Sequence, residues 1–257
     1  MEIVLYQYKI CPFCNKIKTF LDFYGLPYTT VEVNPLSKKE IKTNLKELDY
    51  KKVPICVING EIVCDSPVIM KKLQDMLEER GALLESHSSS ELGPVQVEQE
   101  TSTSTSTSTS NPVDWVKWVD TSLAVLLFPN ITRNFPESWQ AFAYIANVDS
   151  FSASDKFMNR VLGPIAMWAA QGKIKKKYDI ENEREAMFEA VYKWADAVAL
   201  GGTFQGGEVP SLADVCVFGC LRSITGLDTH TAVVNDPRIS VWYQAMIEAV
   251  GDTTEQQ

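Results

Sequence analysis

The sequence lacks any long apolar run and contains only two histidines. No stretch approaches the roughly 18 consecutive apolar residues of a membrane-spanning helix. A strand pattern that begins at Ile3 leads us to expect no signal peptide. His87 and His230 lie far apart, so we expect no zinc site built from cysteine and histidine pairs. A net charge of −9 argues against nucleic acid as a partner and gives no reason to expect attraction to anionic lipid.

The six cysteines are too few for a disulfide framework in a chain of 257 residues. Cys56 and Cys64 flank Asn59-Gly60, a strong two-residue hairpin signal. In the register that this turn sets, the two thiols point to opposite faces of the sheet and cannot bond. Cys216 and Cys220 lie four apart on an apolar helix pattern, which is typical of buried free thiols. We therefore expect a reducing compartment, most simply the cytosol.

The other two cysteines belong to the motif Cys11-Pro12-Phe13-Cys14, which lies between a strand pattern and a helix pattern. Residues 3–6 form a short apolar run that predicts a buried strand, and the apolar spacing after the motif is helical. Pro12 suits the first helical position. Cys11 then lies at a helix N-terminus, which favours its thiolate, and Cys14 lies one turn deeper. This order is typical of thioredoxin-like redox proteins, whereas a zinc ligand pair would need a second pair.

The first 84 residues predict the order β-α-β-α-β-β-α. Strands are expected over 28–33, 53–58 and 61–64, in addition to the first, and a short amphipathic helix over 38–48. A last helix is predicted to begin with Ser66 as N-cap and Pro67 at the first helical position. We expect it to run to about Arg80 and to end at Gly81. This pattern indicates an α/β thioredoxin-like N-terminal domain over 1–84.

Residues 85–112 show no apolar periodicity and include a Thr-Ser repeat over 101–110. With four glutamates and no lysine or arginine, the segment is typical of a flexible linker, and a phosphorylated tether is the alternative. Helices are predicted over 113–127, 137–147, 156–178, 183–200, 212–224 and 239–250, which indicates an all-α domain over 113–250 and a tail over 251–257. A capping box is expected at Ser211 and Asp214. Tryptophans at helical spacing are expected in the core: Trp115, Trp118, Trp168, Trp194 and Trp242.

A thioredoxin-like domain followed by an all-helical domain is the architecture of glutathione S-transferases, so we expect a glutathione S-transferase-like C-terminal domain. Several stretches narrow the similarity. The chain resembles the membrane-associated prostaglandin E synthase type 2 family at residues 5–14 (LYQYKICPFC), 20–23, 26–28, 31–35, 50–55 and 65–69. In the helical domain it is similar, more loosely, at 206–207, 212–214, 226–228 and 242–243. The linker lies outside this resemblance.

The resemblance implies a catalytic thiol at Cys11, supported by the Tyr8 hydroxyl, with Cys14 as its neighbour in the motif. It also implies that glutathione binds through residues at the start of two elements: Val53, Pro54, Asp65 and Ser66. A cis bond before Pro54 would expose the Val53 backbone for pairing with the tripeptide. The helix opened by Ser66 offers N–H donors to a carboxylate, and Asp65 can accept from an amine. Helix capping by Asp65 and Ser66 is an alternative that is compatible with binding.

The resemblance further implies that the protein isomerises a small lipid substrate, a prostaglandin endoperoxide, to a 9-keto-11-hydroxy product. It also implies glutathione as cofactor, an apolar cleft that binds the substrate, and a homodimer. The resemblance also suggests haem as a further cofactor, bound together with glutathione. The family's arginine-rich stretch is replaced here by lysines at 173–177, which cannot reproduce bidentate contacts. The membrane-anchoring segment common in the family is not in this sequence, so membrane association is not expected from it. The alternatives are a glutaredoxin-like thiol–disulfide oxidoreductase, a glutathione transferase and a non-catalytic binding protein.

Overall fold

The N-terminal part is a four-stranded mixed sheet with three helices. The computed structural model describes residues 1–87 and 113–251 together with Thr253, Glu255 and Gln256. The elements of the first part are β1 (Ile3–Gln7), α1 (Pro12–Phe23), β2 (Thr29–Glu32), α2 (Lys39–Asn44), β3 (Ile55–Ile58), β4 (Glu61–Cys64) and α3 (Ser66–His87). The sheet has the order β2-β1-β3-β4, in which β1 runs parallel to β2 and antiparallel to β3. The predicted element order and the thioredoxin-like fold are confirmed.

The β3–β4 hairpin has the register that Asn59-Gly60 predicts. Cys56 pairs with Val63, and Cys64 pairs with Ile55. Cys56 is buried in the main core, whereas Cys64 packs against a smaller cluster on the other face of the sheet. All six cysteines are free, as expected.

The helix α3 differs from its prediction at both ends. It begins at Ser66, so the residue that precedes it is Asp65, with φ 75°, and the prediction of Ser66 as N-cap was wrong. It also continues through Gly81 to His87. A glycine costs a helix only about 1 kcal/mol relative to alanine, and Gly81 does not take the left-handed conformation with which Gly25 follows α1. The linker predicted over 85–112 thus starts inside this helix, and its residues 88–112 lie outside the described part of the chain.

The second part is helical. It comprises α4 (Trp115–Trp118), a π-helical turn (Val119–Leu123), α5 (Ala124–Ile131), α6 (Phe135–Ala141), a 3₁₀ turn (Ala143–Asn147), α7 (Ala153–Lys177), α8 (Glu183–Gly201), α9 (Leu212–Arg222), α10 (Asp228–Val234) and α11 (Ser240–Val250). The capping box of Ser211 and Asp214 at the start of α9 is confirmed. The short helix α10 was not predicted, because its seven residues give too little periodicity to recognise.

Close packing of α9 against α1 joins the two parts. A Cβ atom at Gly219 would lie 2.8 Å from the backbone oxygen of Asn15 and 2.8 Å from Cα of Lys16, so only glycine allows this approach. Lys16 is buried and forms an ion pair with Asp120 of the π-helical turn. The helix that begins at Cys11 is therefore fixed on the helical part of the chain.

Most of the predicted core tryptophans are buried. Trp118, Trp194 and Trp242 are less than a tenth exposed, and Trp115 packs against them while remaining half-buried. The prediction for Trp168 was wrong, because this side chain lies on the outer face of α7 and is 51% exposed. Helical spacing alone does not tell which face of a long helix is covered.

Candidate functional site

The turn between β1 and α1 holds Cys11 at the N-terminus of α1. Cys11 is the N-cap residue, with extended backbone (φ −80°, ψ 121°), and Pro12 is the first helical residue, as predicted. The Cys11 N–H donates to the Tyr8 carbonyl oxygen at 2.9 Å. The buried Asn15 amide donates to the carbonyl oxygens of Lys9 (2.7 Å) and Cys11 (3.0 Å). These two hydrogen bonds from Asn15, a residue of α1, hold the backbone of the turn in place. Asn15 is therefore a positioning residue, and it was not predicted from the sequence.

The two thiols of the motif differ in environment. Cys14 is fully buried, and this burial raises its pKa well above the usual range. The pKa of Cys11 is lowered, first by the hydrogen bond from the Cys14 thiol and then by the backbone N–H groups of Cys14 and Phe13, against burial and the Glu32 charge. Cys11 is only partly buried. Its thiolate is favoured while Cys14 stays protonated, so a nucleophile and a hydrogen-bond donor lie side by side.

An apolar cavity of about 420 Å³ opens at Cys11. The thioredoxin-like part contributes Tyr8, Cys11 and Phe13 to its lining, and the helical part contributes side chains from α5, the 3₁₀ turn and α7. Among the described residues that line it there is no lysine, arginine or histidine. A cavity of this size, with apolar walls and a few polar groups, is typical of a site for a small apolar ligand.

Glu32 and Tyr144 belong to the same site but were not predicted. Tyr144 lines the cavity, and its hydroxyl lies near enough to the Glu32 carboxylate at the end of β2 for the two groups to shift each other's pKa. Burial is the main cause that raises the pKa of Glu32 to about 7. Burial, followed by the charges of Cys11 and Cys14, raises the pKa of Tyr8 to about 12. Tyr144 could not be recognised in the sequence, because it lies near Glu32 only in the folded protein, where the helical part packs on the thioredoxin-like part.

The residues expected to bind glutathione lie beside the cavity rather than in its walls. The Val53-Pro54 bond is cis, and among the described residues the Val53 backbone has no hydrogen-bond partner. Asp65 is exposed and accepts the Ser66 N–H at 3.0 Å. Burial raises the pKa of the Tyr50 hydroxyl, and the nearby charges of Asp65, Cys64, Cys14 and Cys11 raise it further. Ile55 pairs with Tyr6 of β1 and with Cys64 of β4, so the predicted glutathione residues and Cys11 lie at the same end of the sheet.

The described lining of the cavity does not support haem as a cofactor. Cys11 and Tyr8 are groups that can bind haem iron, but the propionates would meet no cationic side chain there. The lysines at 173–177 lie at the C-terminal end of α7, where Lys175 forms an ion pair with Glu183. In the described part of the chain we also find no cluster of three or more side chains that could hold a metal ion, and no helix that could span a membrane.

Comparisons with known proteins identify relatives of this chain. Residues 5–80 match the family model of the glutathione S-transferase N-terminal domain. Prostaglandin E synthase 2 of Danio rerio is 31% identical over 272 residues, which cover 97% of this chain and 71% of the relative. The Mus musculus protein of the same name is also 31% identical, with the same coverage. A solved glutathione transferase, GSTFuA3 from Phanerochaete chrysosporium, superimposes with a TM-score of 0.58 over 98% of both chains at 13% identity.

The solved structure supports the fold alone, because its sequence is too distant to carry function. The two curated relatives match almost the whole chain, including both parts of the cavity. Together with the transferase fold, they support a glutathione-related enzyme. The chain belongs to the prostaglandin E synthase 2 family.

Proposed function

We propose that this protein isomerises a prostaglandin endoperoxide to a 9-keto-11-hydroxy product with glutathione as cofactor. The observation that supports this most is the position of Cys11, whose favoured thiolate opens into an apolar cavity of about 420 Å³. The substrate is a lipid, so apolar walls suit its chains. The name shared by the two curated relatives points to the same reaction.

Glutathione would lie at the end of the sheet where β1 leads to Cys11. The unpaired Val53 backbone could form two hydrogen bonds with the tripeptide, as an added strand does. The exposed Asp65 carboxylate could accept from the glutathione amine, and the N-terminus of α3 at Ser66 could bind its carboxylate. These contacts would hold the glutathione sulfur beside Cys11.

The proposed reaction begins with attack of a thiolate, from Cys11 or from glutathione, on one endoperoxide oxygen. A sulfur–oxygen bond forms, the oxygen–oxygen bond breaks, and the second oxygen takes a proton to become the alcohol. Loss of the hydrogen on the carbon beside the attacked oxygen then gives the ketone, and the sulfur leaves with its electron pair. No electrons are gained or lost overall. The Tyr8 hydroxyl, which stays protonated far above neutral pH, can donate to the developing oxyanion.

A second candidate is a glutaredoxin-like thiol–disulfide oxidoreductase. The observation that favours it is the hydrogen bond between Cys14 and Cys11, because a neighbouring second thiol can resolve a mixed disulfide on the first. A glutathione transferase uses the same binding site without Cys14. The homodimer and the cytosolic location that we expect from the sequence stay predictions.

The test measures two reactions with the same purified variants in the presence of glutathione. If isomerisation is the function, Cys14→Ser keeps most of the endoperoxide turnover, whereas Cys11→Ser loses it. Tyr8→Phe lowers the turnover by about 100- to 1000-fold, because one donor to the oxyanion is lost. Wild-type protein that reduces a protein disulfide in a Cys14-dependent way, without endoperoxide turnover, would establish the second candidate instead. A protein that binds glutathione but performs neither reaction would be a binding protein.

A further inference from the structure

The proposed isomerisation requires two proton transfers, and neither thiol of the motif suits both. One transfer delivers a proton to the endoperoxide oxygen that becomes the alcohol. The other removes the hydrogen from the carbon that becomes the ketone. Cys11 either is the nucleophile or lies beside the glutathione thiolate that attacks in its place. Cys14 is fully buried next to Cys11. The group that moves these protons should lie on the cavity wall, within reach of the thiol, and should exchange a proton with a second titratable group.

Tyr144 meets the first of these conditions. It belongs to the 3₁₀ turn (Ala143–Asn147) of the helical part and lines the cavity together with Cys11 and Tyr8. Its hydroxyl is close enough to these two groups for their charges to raise its pKa, after burial and the Glu32 charge. A substrate in the cavity would thus lie between a thiolate from one part of the chain and a hydroxyl from the other.

Glu32 meets the second condition. Its Oε1 accepts the Lys9 N–H at 2.8 Å, which ties the end of β2 to the turn that holds Cys11. Its carboxylate lies near the Tyr144 hydroxyl, and each of the two groups shifts the pKa of the other. Glu32 does not line the cavity, so it reaches a substrate only through Tyr144. Burial raises its pKa to about 7, so that near neutral pH it gives or takes a proton at little cost. The titratable groups that face it are Tyr144, Lys9 and Lys18, with the charges of Cys11, Cys14 and Tyr8 close by.

We propose that Tyr144 is a catalytic proton donor and acceptor of this site, and that Glu32 is the positioning and proton-exchanging residue behind it. This inference rests on the proposed endoperoxide isomerisation.

In the first half of the reaction, the oxygen–oxygen bond breaks and its electron pair goes to the leaving oxygen. That oxygen takes the proton of the Tyr144 hydroxyl, and the Tyr144 oxygen takes the proton of the Glu32 carboxyl. In the second half, the Tyr144 hydroxyl returns its proton to Glu32 while its oxygen takes the hydrogen of the reacting carbon. The electron pair of that carbon–hydrogen bond forms the ketone, and the pair of the sulfur–oxygen bond returns to sulfur. Glu32 begins and ends protonated, so the cycle consumes no proton.

The experiment compares the endoperoxide turnover of wild-type protein, Tyr144→Phe and Glu32→Gln in the presence of glutathione, from about pH 5.5 to about pH 8.5. Tyr178→Phe is the matched control, because Tyr178 is exposed at the end of α7 and does not line the cavity. Alkylation of Cys11 by iodoacetamide is measured in every variant as a readout that does not depend on turnover.

We expect Tyr144→Phe to lower kcat by about 100-fold, the usual size of a general acid–base contribution. Glu32→Gln should lower kcat by at least about 10-fold with KM nearly unchanged, because its side chain does not touch the cavity. Wild-type kcat should fall as the pH rises through about 7, since the cycle starts from protonated Glu32, and this fall should be absent in Glu32→Gln. Cys11 should be alkylated in both variants at least as fast as in wild type. Tyr178→Phe should match wild type throughout.

Four results would overturn the inference, and they differ in whether the proposed isomerisation survives. Wild-type kcat in Tyr144→Phe, or an unchanged pH profile in Glu32→Gln, would remove the proton-transfer role while the isomerisation itself stands. A wild-type protein without endoperoxide turnover would overturn the proposed function and this inference together. Slower alkylation of Cys11 in either variant would show that the substitution acts on the thiol instead, which also overturns the inference.

Discussion

Replacement of Gly219 by alanine should destabilise the protein, because the new methyl group has no space. The added Cβ would lie 2.8 Å from the backbone oxygen of Asn15, 2.8 Å from Cα of Lys16 and 2.9 Å from Oγ1 of Thr19. Ordinary contacts begin at roughly 3.5 Å, so α9 and α1 would have to separate by about 0.7 Å. Two of the three atoms belong to the backbone of α1 and cannot turn aside. Overpacking of this kind costs about 1–3 kcal/mol.

Gly172→Ala is the matched control for this measurement. Gly172 lies on an exposed part of α7, and a Cβ there would have no atom within 4 Å. Both substitutions gain about 1 kcal/mol of helix propensity, since both glycines are inside helices. The difference between the two variants in free energy of unfolding therefore reports the close contact alone, and we expect Gly219→Ala to be less stable than Gly172→Ala by about 1–3 kcal/mol.

The assay is urea denaturation of the wild type and both variants, followed by circular dichroism. In thermal denaturation the same difference corresponds to a Tm lower by about 2–4 °C for each kcal/mol, as is usual for proteins of 150–250 residues. Because Cys11 is the N-cap residue of α1, the alkylation rate of this thiol should also change in Gly219→Ala and not in Gly172→Ala. Equal stability of the two variants, within about 0.5 kcal/mol, would refute the close approach of α9 to α1.

Three further predictions follow from the site. Iodoacetamide at mildly acidic pH should label Cys11 before Cys56 and Cys216, because the pKa of Cys11 is lowered whereas burial raises the pKa of each of the others to about 12; peptide mapping that finds equal labelling would contradict this. Glu32→Gln should gain stability relative to wild type as the pH rises from 5 to 8 in urea denaturation. In the folded protein Glu32 keeps its proton up to about pH 7, whereas in the unfolded chain it loses its proton at a lower pH. Protonated Glu32 therefore stabilises the folded state below its unfolded pKa, and this contribution is lost as the pH rises through 7. Gly163→Ala should reduce the affinity of the cavity for apolar ligands, measured by fluorescence titration. Both Gly163 and Phe142 line the cavity, and a Cβ at residue 163 would lie 2.2 Å from the Phe142 ring, which would have to move. Unchanged affinity would show that the ring moves away from the ligand.

Local patterns predicted the parts of the fold that short stretches of sequence determine. The position of Cys11 at the start of α1 follows from Pro12 and the preceding strand, and the structure agrees. The register of the β3–β4 hairpin follows from the two-residue turn, which leaves one way to pair the strands. The capping box of Ser211 and Asp214 is likewise contained in four residues.

Contacts between distant residues were not predictable in this way. Glu32 and Tyr144 are 112 positions apart (144 − 32), and they meet only because the 3₁₀ turn of the helical part lies over the end of β2. The end of α3 and the exposure of Trp168 depend on what covers each helix, which periodicity does not report. The position of Cys11 could therefore be predicted from the sequence, whereas the groups that face it required the structure.

Product analysis after incubation with a prostaglandin endoperoxide tests the central claim most directly. Purified wild-type protein and Cys11→Ser are incubated with the endoperoxide, each with and without glutathione, and the products are separated by chromatography and identified by mass. The 9-keto-11-hydroxy product should form in the wild type with glutathione, well above the rate of glutathione alone, and should be lost in Cys11→Ser. The same product at the same rate in Cys11→Ser, or none above the rate of glutathione alone in wild type, would contradict the assignment of this site to endoperoxide isomerisation.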